Sequence, residues 1–94
     1  MGRYDASIDT ILNIEWQDIK ALMDTLDRSV MEQIIELLLR VKPSGKKVIT
    51  AGCGTSGATA IRVAHSLNVC EVPAFFLDPC MSIHGGCGAI QEGD

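Results

Sequence analysis

A change of periodicity near the middle of the chain constrains its fold most. Lys47-Val48-Ile49-Thr50-Ala51 is a short β-branched run that ends in glycines, as a buried parallel strand does. After Gly52-Cys53-Gly54-Thr55-Ser56-Gly57, a helix is predicted from Ala58 to about Leu67, with Ile61, Val63, Ala64 and Leu67 apolar. Val72-Pro73-Ala74-Phe75-Phe76-Leu77 then predicts a second strand, with Pro73 tolerated only near its beginning. Strand, helix, strand at this spacing is a β-α-β unit, with parallel strands and a right-handed crossover expected. A stable sheet needs about three or more strands. The expectation is therefore an α/β chain that forms the front of a larger domain or completes its sheet with another chain, the former preferred.

Upstream, Ile11, Leu12, Ile19, Leu22, Met23 and Leu26 recur at three- and four-residue spacing and predict an amphipathic helix from Ile8. Asp27-Arg28 interrupts the pattern. Ser29-Val30-Met31-Glu32 then has the form of a capping box, and a second helix is predicted to about Val41. Lys42-Pro43-Ser44-Gly45 is expected to end it, because proline cannot continue a helix and glycine suits the turn. Residues 1–41 are thus read as N-terminal helices and 42–94 as a first β-α-β half, one domain overall. The tail from Asp78 to Asp94 reads as loop or a short helical turn.

At 94 residues the chain is at most one domain, of a size that buries about 60% of its unfolded surface. A partner surface is expected. The net charge of −4, with no basic stripe among aromatics, argues against nucleic acid. Residues 37–70 nevertheless carry five bases and no acid, the right sign for an anion near the glycine loop. Arg40, Lys42, Lys46 and Lys47 read more simply as solvated ends of a helix and a strand. Asp5, Asp9, Glu15 and Asp18 interrupt every early apolar run, so neither a signal peptide nor a membrane span is expected, and the protein is expected to be cytoplasmic. Cys53, Cys70, Cys80 and Cys87 are then expected to be free thiols.

The glycine loop between strand and helix presents backbone N–H groups at the positive end of a helix dipole, a ready anion site. Gly52, Gly54 and Gly57 satisfy G-x-G-x-x-G, and Asp78 could be the ribose-binding acid of a dinucleotide fold, so a dinucleotide-binding half-domain is one candidate. In the plainer reading the glycines only let strand and helix pack closely. Thr55 and Ser56 separate the candidates, because two hydroxyls beside a helix start suit a compact terminal phosphate that wants several donors. Ser56 can equally be the helix N-cap, which is compatible with phosphate binding. Cys80, His84 and Cys87 form C-x3-H-x2-C, three ligands without a C-x-x-C pair, and no metal site is expected. Cys80 and Cys87 read as small buried apolar residues, and Cys53 as packing beneath the loop.

The run Lys46 to Gly57, followed by Val72 to Pro79 and by His84-Gly85-Gly86, resembles the sugar isomerase (SIS) domain, and within it the D-arabinose 5-phosphate isomerases. The resemblance implies a Rossmann-like parallel sheet flanked by helices and preceded by two amphipathic helices. It implies a phosphosugar substrate, aldose–ketose isomerisation without a cofactor, and assembly into dimers or tetramers through helices. By match to the motif, Gly54, Thr55, Ser56 and Gly57 are the phosphate loop and His84 the active-site histidine. A histidine can move a proton during ring opening or between adjacent carbons through an enediol.

The departures from that family matter as well. Thr55 replaces the loop lysine of the arabinose 5-phosphate branch. Cys53-Gly54-Thr55-Ser56 instead has the form found in the isomerase domain of the aminotransferase that makes glucosamine 6-phosphate, where both hydroxyls contact phosphate. Gly86 stands where the branch has aspartate, and Asp78 where it often has histidine. The resemblance stops at Asp94, before the family's second phosphate loop and active-site glutamates, so these 94 residues are expected to be inactive alone. The alternative of another class is a non-catalytic phosphosugar-binding or regulatory module.

Overall fold

The computed structural model describes residues 2–94. The chain divides into two compact units, Met1–Glu32 and Gln33–Asp94. The first unit holds helix α1, Asp5–Thr25, and the beginning of α2, Arg28–Ser44. No residue of α1 is buried, and Ile8, Leu12, Ile19 and Leu22 are all exposed. The predicted capping box does not form. Asp27, one residue before the helix, accepts from the amides of Ser29 (2.9 Å) and Val30 (3.2 Å), because its carboxylate already fills the cap that Ser29 would need.

In the second unit α2 runs past the expected stop, with Pro43 inside its last turn. So close to the end, proline forfeits only one helical hydrogen bond. Gly45, at φ +75°, ends the helix in the left-handed conformation that glycine adopts without a Cβ penalty. The Ser44 hydroxyl donates to the Val41 carbonyl at 2.7 Å and accepts from the Lys46 amide at 3.0 Å, which turns the chain toward the sheet.

The sheet has two parallel strands, β1 (Val48–Thr50) and β2 (Ala74–Phe76), with Val48 opposite Ala74 and Thr50 opposite Phe76. Both strands are shorter than the β-branched runs suggest. Helix α3, Gly54–Val69, joins them and packs on both. Its inner face is Gly57, Ala60 and Ala64, all buried, and these small residues let the helix lie close to the strands. The Thr50 hydroxyl donates to the Ala60 carbonyl at 2.7 Å, and the ring of Phe76 reaches to within 4.0 Å of where a Gly57 Cβ would sit. Val72, also buried, closes the far end of this small core.

The outer edge of β2 is held by a side chain. The Asn68 amide accepts from the Ala74 N–H at 2.9 Å and donates to the Ala74 carbonyl at 2.8 Å. After β2, the tail forms a five-residue helix α4, Pro79–Ile83, and a 3₁₀ turn, Gly86–Ala89. The final residues return to the start of β1, where the Lys47 ammonium meets the Asp94 carboxylate at 2.7 Å.

Candidate functional site

The carboxyl ends of β1 and β2 open into a cleft of about 410 Å³ lined by Gly52, Cys53, Gly54, Gly57, Ala58, Ile61, Phe76, Asp78, Pro79 and Cys80. Clefts outside the carboxyl ends of parallel strands are where open α/β sheets bind ligands. Each of the three loop glycines has a separate job. A Cβ on Gly52 would lie 2.8 Å from the Ser56 carbonyl, and one on Gly57 would lie 2.7 Å from the Gly52 carbonyl. These two positions hold the loop backbone against the first turn of α3. Gly54 has open space around it and is required by its φ of +58°.

Helix α3 begins four residues earlier than the apolar pattern suggests, at Gly54, with Cys53 as its N-cap. Thr55 and Ser56 therefore stand inside the first turn rather than before it, and Ser56 is not the cap. The reason is local: the extended Cys53, at φ −115° and ψ 149°, followed by the left-handed Gly54, starts the helix as soon as the chain clears the strand. Gly57 N–H is the first amide to close a helical bond, to the Cys53 carbonyl at 3.2 Å. The amides of Gly54, Thr55 and Ser56 precede it and lack an intrahelical acceptor, and no side chain caps them. The hydroxyls of Thr55 and Ser56 are exposed and make no hydrogen bond among the described residues. Three donors at the positive end of a 16-residue helix and two hydroxyls thus share one turn.

Of the predicted phosphate loop, Gly54 and Gly57 line the cleft and Thr55 and Ser56 do not; the other sequence candidates fall elsewhere. Asp78 lines the cleft, but its Oδ1 accepts from the amides of Cys80 (2.8 Å) and Met81 (3.3 Å), so the carboxylate caps α4. His84 follows α4 as its C-cap, is exposed, and does not line the cleft. Four residues of helical rise separate it from Cys80, about 6 Å along the axis. Among the described residues no cation lines the cleft: Lys42 pairs with Glu71 at 3.6 Å, Lys47 with Asp94, and the Lys46 stem lies over Gly93. Lys42, Lys46 and Lys47 thus stand away from the cleft, and Lys46 and Lys47 are half-buried rather than solvated ends.

All four cysteines are free and exposed, so Cys80 and Cys87 are not small core residues, and Cys53 faces the cleft rather than packing beneath the loop. A helix whose inner face is already filled by Gly57, Ala60 and Ala64 leaves no room for a thiol there. Among the described residues, Cys80, His84 and Cys87 do not gather as a metal-binding group. No helix among the described residues is long and apolar enough to cross a membrane. Sequence reasoning missed the Asp94 carboxylate, which the Lys47 ammonium and then the Gln91 amide hold below its ordinary pKa.

Comparison with known proteins finds partial matches. Over 48 residues it is 40% identical to the arabinose 5-phosphate isomerase GutQ of Salmonella typhi, a stretch covering 51% of this chain and 15% of that protein. KdsD of Francisella tularensis, another arabinose 5-phosphate isomerase, is 28% identical over 81 residues, 86% of this chain and 24% of that protein. These local matches support a relation to the arabinose 5-phosphate isomerases. An uncharacterised protein of Rickettsia prowazekii is 33% identical over 75 residues, 77% of this chain and 23% of that protein. The chain spans a quarter or less of the length of these relatives. No family model and no solved structure matches it.

Proposed function

We propose that this region holds the phosphate of a sugar phosphate at the start of α3, as the first part of an SIS-type aldose–ketose isomerase acting on arabinose 5-phosphate or a close analogue. The observation that carries the reading is the first turn of α3, with three uncapped amides and two unbonded hydroxyls, within the 81-residue match to an arabinose 5-phosphate isomerase. With Thr55 in place of a lysine and no cation in the cleft, phosphate is met by hydrogen bonds and the helix dipole alone. Gly54, Thr55, Ser56 and Gly57 form the phosphate loop. His84 handles the proton, brought toward the sugar from the end of α4. A cytoplasmic location and assembly through the helices belong to the same reading, and the exposed apolar residues of α1 and α2 support assembly.

A second reading, a phosphosugar-binding module without catalysis, is favoured by one observation. Among the described residues the one carboxylate lining the cleft, Asp78, is occupied in capping α4, and His84 stands outside the lining.

Thermal shift with arabinose 5-phosphate, glucosamine 6-phosphate and NAD separates these readings from a dinucleotide site. Stabilisation by a sugar phosphate is expected, and stabilisation by NAD alone overturns the proposal. Ser56→Ala should weaken sugar-phosphate affinity about tenfold, the loss expected for one hydrogen bond to a charged group. In the full-length protein His84→Ala should abolish isomerisation in a coupled assay while sparing binding. Full turnover in that variant removes His84 from the mechanism.

A further inference from the structure

The cleft carries two thiols that the phosphate reading does not use. Cys53 is the N-cap of α3 and Cys80 the second residue of α4; both are free, exposed and part of the lining. Their placement follows from the sheet. Thr50 and Phe76 are register partners at the carboxyl ends of β1 and β2, and adjacent strands run about 4.8 Å apart. Cys53 lies three residues beyond Thr50 and Cys80 four beyond Phe76, so the two arms leaving the sheet place one thiol on each wall. The remaining thiols are elsewhere. Cys70 follows the far end of α3, about 25 Å along its axis, and lines a separate groove with Arg62 and Ser66. Cys87 lies in the 3₁₀ turn and lines neither.

We propose that Cys53 and Cys80 form a redox pair whose disulfide closes the cleft to phosphate. The gate rests on the cleft being the phosphate site; the pairing does not. The chemistry is exchange with a small-molecule disulfide. The Cys53 thiolate attacks one sulfur of that molecule, the sulfur–sulfur bond breaks, and one small thiolate leaves. The Cys80 thiolate then attacks the Cys53 sulfur of the mixed disulfide and expels the second small thiolate. Two protein thiols are oxidised to one disulfide, the small disulfide is reduced to two thiols, and the protons of Cys53 and Cys80 pass to the leaving thiolates. A bridge requires Cα atoms about 4.4–6.8 Å apart. Gly52 packs against the first turn of α3, so Cys53 keeps its place and Cys80, on the five-residue α4, makes the approach. Once joined, the sulfurs span the cleft beside Gly54 and Gly57, the members of the proposed phosphate loop that line it.

The test incubates reduced protein with oxidised glutathione, maps its disulfides by mass spectrometry without reduction, and measures D-arabinose 5-phosphate affinity by calorimetry before and after. A Cys53–Cys80 linked peptide is expected, with affinity falling at least about tenfold and returning on addition of dithiothreitol. Cys80→Ser should trap glutathione on Cys53, because the resolving thiol is gone, whereas Cys70→Ser and Cys87→Ser should leave the Cys53–Cys80 linkage intact. A Cys80–Cys87 linkage in its place, adducts on all four cysteines without a linked peptide, or linked protein that binds as before would overturn the proposal. If reduced protein binds no sugar phosphate, the phosphate reading and the gate fall together, while the peptide map still decides whether the two thiols pair.

Discussion

Helices α3 and α4 both begin at the rim of one cleft and treat their first amides in opposite ways. The start of α4 is closed by the Asp78 carboxylate, which takes two of its N–H groups. The start of α3 has a thiol residue at the same position and no side-chain cap. A helix terminus with unsatisfied donors costs stability unless something else meets them, and an acidic cap both meets them and excludes a second anion. The difference separates a terminus satisfied by its own side chain from one whose amides no side chain meets.

The largest effect is expected from closing the space on which the open terminus depends. In Gly57→Ala the new methyl would lie 2.7 Å from the Gly52 carbonyl oxygen, a backbone atom that cannot step aside. A loss of about 3 kcal/mol in denaturant unfolding is expected, with loss of sugar-phosphate binding. A wild-type midpoint would show that the loop does not need this close approach.

The sharpest test makes the two termini alike. Cys53 already has the extended backbone of an N-cap, so Cys53→Asp should cap α3 as Asp78 caps α4. Affinity for D-arabinose 5-phosphate should fall at least about tenfold by calorimetry while thermal stability holds or rises. Unchanged affinity would mean that the α3 amides are not the phosphate donors. The reciprocal change, Asp78→Ala, should cost about 1 kcal/mol in denaturant unfolding and leave the phosphate loop unaltered.

The smallest effect concerns the far end of the strands. Because Lys47 lowers the Asp94 pKa, the stability this carboxylate contributes is full above its unfolded-state pKa and is lost as pH falls through the lower folded value. Asp94→Asn should flatten that acid limb in melting curves taken across pH. Sugar-phosphate affinity at neutral pH should not move.

Much of the fold was legible because it rests on local signals. The β-branched run at Val48-Ile49-Thr50, the glycines after it and the three- and four-residue spacing in α1 each announce their element within a few residues. Errors arose where two local signals compete. Asp27 and Ser29 can both cap α2, and the residue nearer the helix start in space wins. Pro43 was read as a stop, yet one lost bond in a last turn is tolerated when Gly45 supplies the termination.

The site was legible only in part. Thr55 and Ser56 marked the turn, but which helical position they occupy depends on the left-handed Gly54, a conformation that no residue pattern reports. Asp78 looked like a ligand-binding acid because its sequence position cannot show that the amides of Cys80 and Met81 already claim it. That Cys53 and Cys80, 27 residues apart, share a cleft follows from strand register, which pairs residues 26 apart in the chain.

The Asn68 amide has a further consequence. The bonds joining the strands run from Val48 N–H to the Pro73 carbonyl and from Leu77 N–H to the Thr50 carbonyl, so Ala74 directs its own N–H and carbonyl away from β1. Asn68 satisfies both of them with one side chain, mimicking the strand that would otherwise lie there. A strand arriving at that edge must first evict the amide, whereas at Ile49, on the other side of β1, it meets backbone groups that no side chain has claimed. The two margins therefore differ residue by residue: Ala74 on β2 and the Lys47 N–H beside β1 are held by side chains, whereas Ile49 and Phe76 are not.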